Sequence, residues 1–231
     1  MTLGRLLITA VLAAFPATAE EPARGEALAR ELRIDIALRN EAFARDPANI
    51  ADKEWVKRKL AHMFLVDQDF RFKLIAVRKQ AADDVERKSL ESQLIPVMLD
   101  MDRDHTAEMK ALLQRYRWFT ISDFGAETDN NAWILIQHAD RDVEFQKHVL
   151  SVLEALYPKG ETNPRNYAYL VDRVARNENR PQRFATQGTC TAPGTWEPFP
   201  TEKPDQVDDM RRSVGLEPLS EYKKLVAQQC P

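Results

Sequence analysis

Apolar side chains recur every three or four residues along most of this chain, the periodicity of helices that bury one face. A first run, residues 20–45, carries Leu28, Leu32, Ile36 and Leu38 among charges. Asp46-Pro47 ends it, because the residue before a proline avoids helical angles. A second run, residues 52–82, carries the stripe Val56, Leu60, Phe64, Asp67, Arg71 and Leu74. Asp67 and Arg71 interrupt that stripe at the spacing where helical side chains meet. They read either as a partly buried ion pair or, if Met63, Phe70 and Val77 form the buried face, as a surface pair. A third run, residues 83–116, carries Leu94, Val97, Met98, Met101, His105, Met109, Leu112, Leu113 and Tyr116, and Pro96 either kinks it or marks its start. His105 lies on the apolar stripe one turn after Asp102, where a satisfied core histidine is commoner than a ligand.

The most apolar helical run is residues 132–146, AWILIQHADRDVEFQ. One face carries Asn131, Ile134, Leu135 and His138, the opposite face Trp133, Ile136, Gln137 and Asp140. A helix apolar on two sides has to be covered on two sides, so this stretch is expected at the centre, with its polar end against packed surface. Residues 118–125 precede it as a connector, with Thr120 or Ser122 as a cap and Gly125 as a turn. After it, Asp140 or Asp142 is expected to cap a helix with the stripe Phe145, Val149, Val152, Leu153 and Leu156, closed by Pro158 and Gly160. Asn163-Pro164 starts another, with Tyr167, Leu170, Val171 and Val174 on its stripe and Asp172 and Arg173 near its end. From Asn179 the pattern changes, and residues 181–190 and 195–200 read as short runs among turn residues. Short helices follow over 204–214 and 218–228. The expected fold class is mainly α: a single helical domain of about seven helices over residues 20–231, with a short irregular β-hairpin or extended arm near 181–200.

A length of 231 residues suits one domain, and only seven glycines fit the helical reading. The net charge of −3 offers no basic stripe, so nucleic acid is not an expected partner. Residues 1–19 read as a signal peptide, with Arg5, an apolar stretch over 6–15 and the small-residue site Ala17-Thr18-Ala19. That stretch is roughly half the length a membrane span needs, so the expectation is an exported protein, periplasmic or secreted, with no membrane association after cleavage. Cys190 and Cys230 are the only cysteines. In an exported chain they point to a disulfide closing a loop of about 40 residues. The rival reading, a reactive thiol, needs a nearby base that the residues around Cys190 do not supply.

No Gly-rich phosphate loop, HExxH, GxSxG or CxxC is present, and no cofactor is expected. His138 is the best candidate for proton transfer near neutral pH and needs an orienting carboxylate, for which Asp172, Asp102 and Asp67 are available. Asp140, two residues on, does not face it on a helix and reads better as a cap. His138 with two carboxylates would suit zinc, but no ligand spacing supports a metal. Arg71, Arg173, Arg211 and Arg212, with Gln182 and Gln187, offer forked donors for a carboxylate or phosphate. The plainer reading pairs those arginines with nearby acids.

Six stretches, in this order, resemble one bacterial family of domains of unknown function, number 6624 in that series. They are Asp67-Gln68-x-x-Arg71; Trp118-x-Thr120…Gly125; Ala132-Trp133…Gln137-His138-Ala139-Asp140…Phe145-Gln146; Ala168-Tyr169-Leu170-x-Asp172-Arg173-Val174; Pro181-Gln182-x-x-x-Thr186-Gln187; and Arg211-Arg212-x-x-Gly215-Leu216-x-Pro218-Leu219-x-x-Tyr222. The resemblance covers residues 65–222 and implies no settled activity. Its polar residues, scattered over several helices and the arm, imply a shared pocket. The chain departs from the family pattern where Phe184-Ala185-Thr186-Gln187 replaces Tyr-Gly-Thr-Gln and Arg117-Trp118-Phe119-Thr120 replaces Gly-Trp-Pro-Thr. Losing the glycine restricts the backbone before Thr186, and losing the tyrosine removes a hydroxyl. The expected site lies where the His138 end of the central helix meets Asp172, Arg173, Gln182 and Gln187. His138 and Asp172 are the catalytic candidates, and Asp67, Arg71, Gln137, Asp140, Arg173, Gln182, Thr186, Gln187, Arg211 and Arg212 the binding ones. The expected partner is a small anionic ligand or a peptide, and nothing in the chain sets an oligomeric state. The balance favours a binding or structural role; the alternative is a hydrolase-like enzyme with His138 as general base.

Overall fold

The computed structural model describes residues 21–230, and the signal peptide expected over residues 1–19 lies outside the described residues. Three long helices come first: α1 (Glu21–Ala44), α2 (Lys53–Gln80) and α3 (Asp84–Arg115). The starts of α2 and α3 are fixed by capping. Asp52 accepts from the Glu54 amide, and Asp83 from those of Val85 and Glu86, which satisfies first-turn N–H groups that no intrahelical carbonyl reaches. α3 runs on through Pro96. Ala29 and Leu32 of α1, Val66, Phe70 and Leu74 of α2, and Leu94, Val97 and Met101 of α3 form one buried cluster. On α2 the two alternative stripes merge: Val56, Leu60, Met63, Asp67, Phe70 and Leu74 are all buried.

The second half is built around α5 (Ala126–Gln137), which packs against α2, α3, α6 (Val143–Leu156) and α7 (Pro164–Asn177), as a run apolar on two sides requires. Its core joins Leu60 and Met63 of α2 to Leu135 and Ile136 of α5, Val149 and Leu153 of α6, and Leu170 and Val174 of α7. The stretch 132–146 is not one helix. α5 begins earlier, behind Gly125 at φ +86°, and ends at Gln137, with His138 as its C-cap. Asp142 caps α6 by accepting from the Phe145 amide at 3.1 Å. Asp140, the other expected cap, is instead held by Arg173. The connector 118–125 contains a single helical turn, α4 (Ile121–Phe124), too short to show a period. Asn163 caps α7 through the Arg165 amide, as its Asn-Pro start implies.

The arm after α7 forms an antiparallel hairpin of β1 (Gly188–Ala192) and β2 (Thr195–Pro198), in which Gly188 faces Pro198 and Cys190 faces Trp196. A Cβ at Gly188 would lie 2.3 Å from both the Trp196 ring and the Glu197 carbonyl, so this position admits only glycine. Two short helices follow, α8 (Val207–Ser213) and α9 (Leu219–Ala227), which brings the α-helices among the described residues to nine. A file of edge-on aromatic rings, Trp133, Tyr169, Tyr222 and Trp196, ties α5 through α7 and α9 to the hairpin. A disulfide between Cys190 and Cys230, with Cα atoms 5.5 Å apart, joins β1 to the segment after α9. Among the described residues no helix is long and apolar enough to cross a membrane.

Candidate functional site

The break after α5 sets the position of His138. Its ring Nδ1 lies 2.9 Å from Oδ1 of Asp67, whose side chain is fully buried on the inner face of α2. Burial pushes the Asp67 carboxyl up, but the hydrogen bond and charge of His138, together with Arg71 and Gln68, outweigh it and bring it below the ordinary carboxylate range. An ionised carboxylate only accepts, so Nδ1 carries the proton and donates it to Asp67. Nε2 is left with its lone pair, on a ring that keeps 17% of its surface exposed. The orienting carboxylate is therefore Asp67, which is 71 residues away in the sequence.

Arg71, one turn after Asp67, bonds two carboxylates. Its Nε donates to Asp67 at 3.1 Å and its Nη2 to Asp102 of α3 at 2.5 Å. The i,i+4 pair is thus partly buried rather than a surface pair. Burial raises the Asp102 carboxyl above its ordinary range in spite of the opposing charges of Arg71 and His138. Arg71, Asp102, His138, Asp140 and Arg173 line one cleft of about 460 Å³ between α3, the α5–α6 turn and α7, a volume in the range of small-molecule sites. Lys110 and Arg141 line it as well. Arg173 grips Asp140 with two nitrogens, at 2.8 and 2.6 Å, and Lys110 pairs with Asp142. Arg141 has no ion-pair partner among the described residues. Ligand atoms of Asp67, Asp102 and His138 lie within 4.8 Å of one another. A metal fits them poorly, because the Arg71 guanidinium already bonds both carboxylates and a second cation would have to displace it.

The other expected site residues hold the fold. Asp172 does not orient His138. Fully buried, it accepts from the Arg183, Phe184 and Thr186 amides at 2.7 to 3.0 Å and from the Thr186 hydroxyl at 2.9 Å. Burial still raises its carboxyl above the ordinary range. Arg211 is equally buried and works from the other side, donating to the Phe184 carbonyl at 2.6 Å and the Glu217 carbonyl at 2.7 Å while its guanidinium lies 4.7 Å from the Tyr222 ring. Gln182 donates to the carbonyls of Gln187 and Phe199. Gln137, with its amide oxygen turned to the Trp133 indole, accepts at 3.2 Å inside the α5–α7 contact. Arg212 is exposed and pairs with Asp209. Only Gln187 reaches toward the cleft, accepting from Arg173 at 3.1 Å.

Helical periodicity gave no hint of Lys110 and Arg141 as cleft residues, nor of Asp129. That carboxylate is buried on α5 and accepts from Trp118 Nε1, Thr162 Oγ1, Asn166 Nδ2 and the Asn163 amide, fixing the connector to the start of α7. The Asn163-Pro164 start and the buried Trp118 are its only sequence traces. Comparison with curated proteins and with solved structures returns no match. The family of unknown function DUF6624 matches residues 56–230, a wider span than the motifs from Asp67 to Tyr222, and the chain belongs to that family.

Proposed function

We propose that the His138 cleft is an acid–base site that hydrolyses a small anionic substrate. The observation that carries this reading is a histidine held by a buried carboxylate, with its second nitrogen on a ring that opens onto a cleft. His138 takes the proton of an attacking water through Nε2, and Asp67 fixes its tautomer and stabilises the cation that forms. Asp102, on the cleft wall and with its carboxyl raised by burial, supplies the proton to the leaving group. Arg141 and Arg173 hold the substrate's negative charge. Water is the nucleophile in this scheme, because Thr106, the hydroxyl residue lining the cleft, already donates to the Asp102 carbonyl at 2.7 Å. The Cys190–Cys230 disulfide supports an oxidising, extracytoplasmic setting.

The test is a panel of carboxylate esters, phosphate esters and acidic peptides, with the parent chain beside His138→Ala and Asp102→Asn. Each variant is expected to lose about 10²- to 10⁴-fold in kcat with a normal melting curve, the range for removing a general acid or base. The plainer reading, binding alone, rests on the ion pairs that already engage Arg71, Arg173 and Lys110. Anions that bind but are never turned over, with affinity lost in Arg141→Ala and kept in Asp102→Asn, would establish it instead.

A further inference from the structure

A second cleft, of about 360 Å³, lies where the end of α1 and the turn after it meet α2 and α3. It shares no residue with the His138 cleft; α3 gives Asp104, His105 and Glu108 to one and Asp102, Arg103 and Thr106 to the other. Its α1 wall, with Asn40 and Phe43, stands outside the residues that match the family.

Two buried polar atoms among its lining residues have no hydrogen-bond partner: Trp55 Nε1 and His105 Nδ1. The two residues are 8% and 7% exposed. Buried polar atoms are rarely left unpaired, because desolvation without a partner is costly. His105 was expected on the apolar stripe as a satisfied core residue; it is on the stripe and is not satisfied. The other walls are aromatic and acidic. The His62 ring stacks on Phe43 at 4.6 Å and is pinned by Asn40 at 2.9 Å, and Asp46, Asp104 and Glu108 supply carboxylates. Lys59, the lining lysine, is held by Glu108 at 3.2 Å.

We infer that this cleft binds a neutral hydroxylated ring or chain, a sugar or polyol. An indole N–H only donates, so the ligand must bring an acceptor to the buried end, and a purely cationic ligand brings none. An anionic ligand would accept there too, but the three lining carboxylates are held by Arg58, Arg103 and Lys59, so the lining lysine is already engaged and offers it no free cation. A hydroxyl does both: its oxygen accepts from Trp55 and its proton goes to a carboxylate on the wall. The rings of Phe43, Trp55 and His62 then cover the C–H face of such a molecule.

The experiment titrates the full mature chain by calorimetry and tryptophan fluorescence with neutral mono- and disaccharides and linear polyols, with acetate and methylammonium as charged controls. At least one neutral hydroxylated probe is expected to bind at millimolar concentration or better. Trp55→Phe, which keeps a ring and removes the N–H, is expected to weaken it roughly tenfold without lowering the melting temperature. His138→Ala, in the other cleft, should leave that affinity within about twofold, as distant sites act independently. Binding of acetate or methylammonium alone overturns the assignment of class, and so does silence across the neutral panel. An affinity unchanged in Trp55→Phe overturns the assignment of place.

Discussion

His105 gives the clearest residue-scale consequence of burial. Desolvation lowers its pKa from 6.5 to about 4, against a smaller pull upward from the charge of Asp67. The sign follows from which state binds the proton. Between those two values the unfolded chain carries a proton on this ring and the native chain does not, so stability falls as the pH falls through that window. At about 1.4 kcal/mol per pH unit, the full effect is on the order of 3 kcal/mol. Asp67 acts in the same direction lower down, since its depressed carboxyl contributes stability that is lost as the pH drops through its folded value. His105→Leu keeps the apolar stripe and removes the titration. Urea midpoints of parent and variant are expected to diverge between pH 6.5 and 4, with the parent losing more. Parallel pH profiles would show that the ring is not held neutral by the fold.

At the scale of elements, the arm shows what periodicity can and cannot reveal. The helices were legible because each buries a stripe at a fixed spacing, and two of their starts because Asp142 and Asn163 are caps. The central position of α5 was legible for the same reason. Which of the three available carboxylates orients His138 was not, because the bond to Asp67 joins two helices across 71 residues and no local spacing encodes the packing of α5 on α2. The polar motifs of the arm looked like a pocket and are mainly a clamp: Asp172 takes the N–H groups of the 183–186 turn and Arg211 takes its carbonyls. That clamp holds Ala185 at φ +53°, a left-handed backbone that favours glycine. Left-handed backbone costs an L-residue about 1–2 kcal/mol. Against this, the buried methyl contributes about 0.8 kcal/mol, and alanine avoids roughly 0.5–1 kcal/mol of glycine's chain entropy. The contributions nearly cancel, which accounts for alanine being tolerated here. Ala185→Gly is therefore expected to change the unfolding free energy by less than about 1 kcal/mol, measured by chemical denaturation. A gain of several times that would mean the turn is strained and the clamp is holding it against its preference.

Over the whole molecule, the two clefts and the hairpin are supported by different parts of the chain, and this separates stability from function. The His138 cleft is lined from α2, α3, the α5–α6 turn and α7, and none of its lining residues comes from β1, β2 or α9. The hairpin is fastened elsewhere: Trp196 packs edge-on to Tyr222, Lys223 pairs with Glu197, the Tyr222 hydroxyl donates to the Thr186 carbonyl, and the disulfide closes a loop with a sequence separation of 40. In the chain-entropy account a loop of that length is worth about 4 kcal/mol, acting through the unfolded state. Cys190→Ser with Cys230→Ser should lower the unfolding free energy by up to about that amount and speed amide exchange over residues 188–198. The same variant should keep anion binding at the His138 cleft, because the groups that build it sit on helices packed into the α5 core. If anion binding disappears while the helical circular dichroism stays native, the arm does more than brace the last helix. Gln187, which accepts from Arg173 at 3.1 Å, is then the residue through which the loss travels.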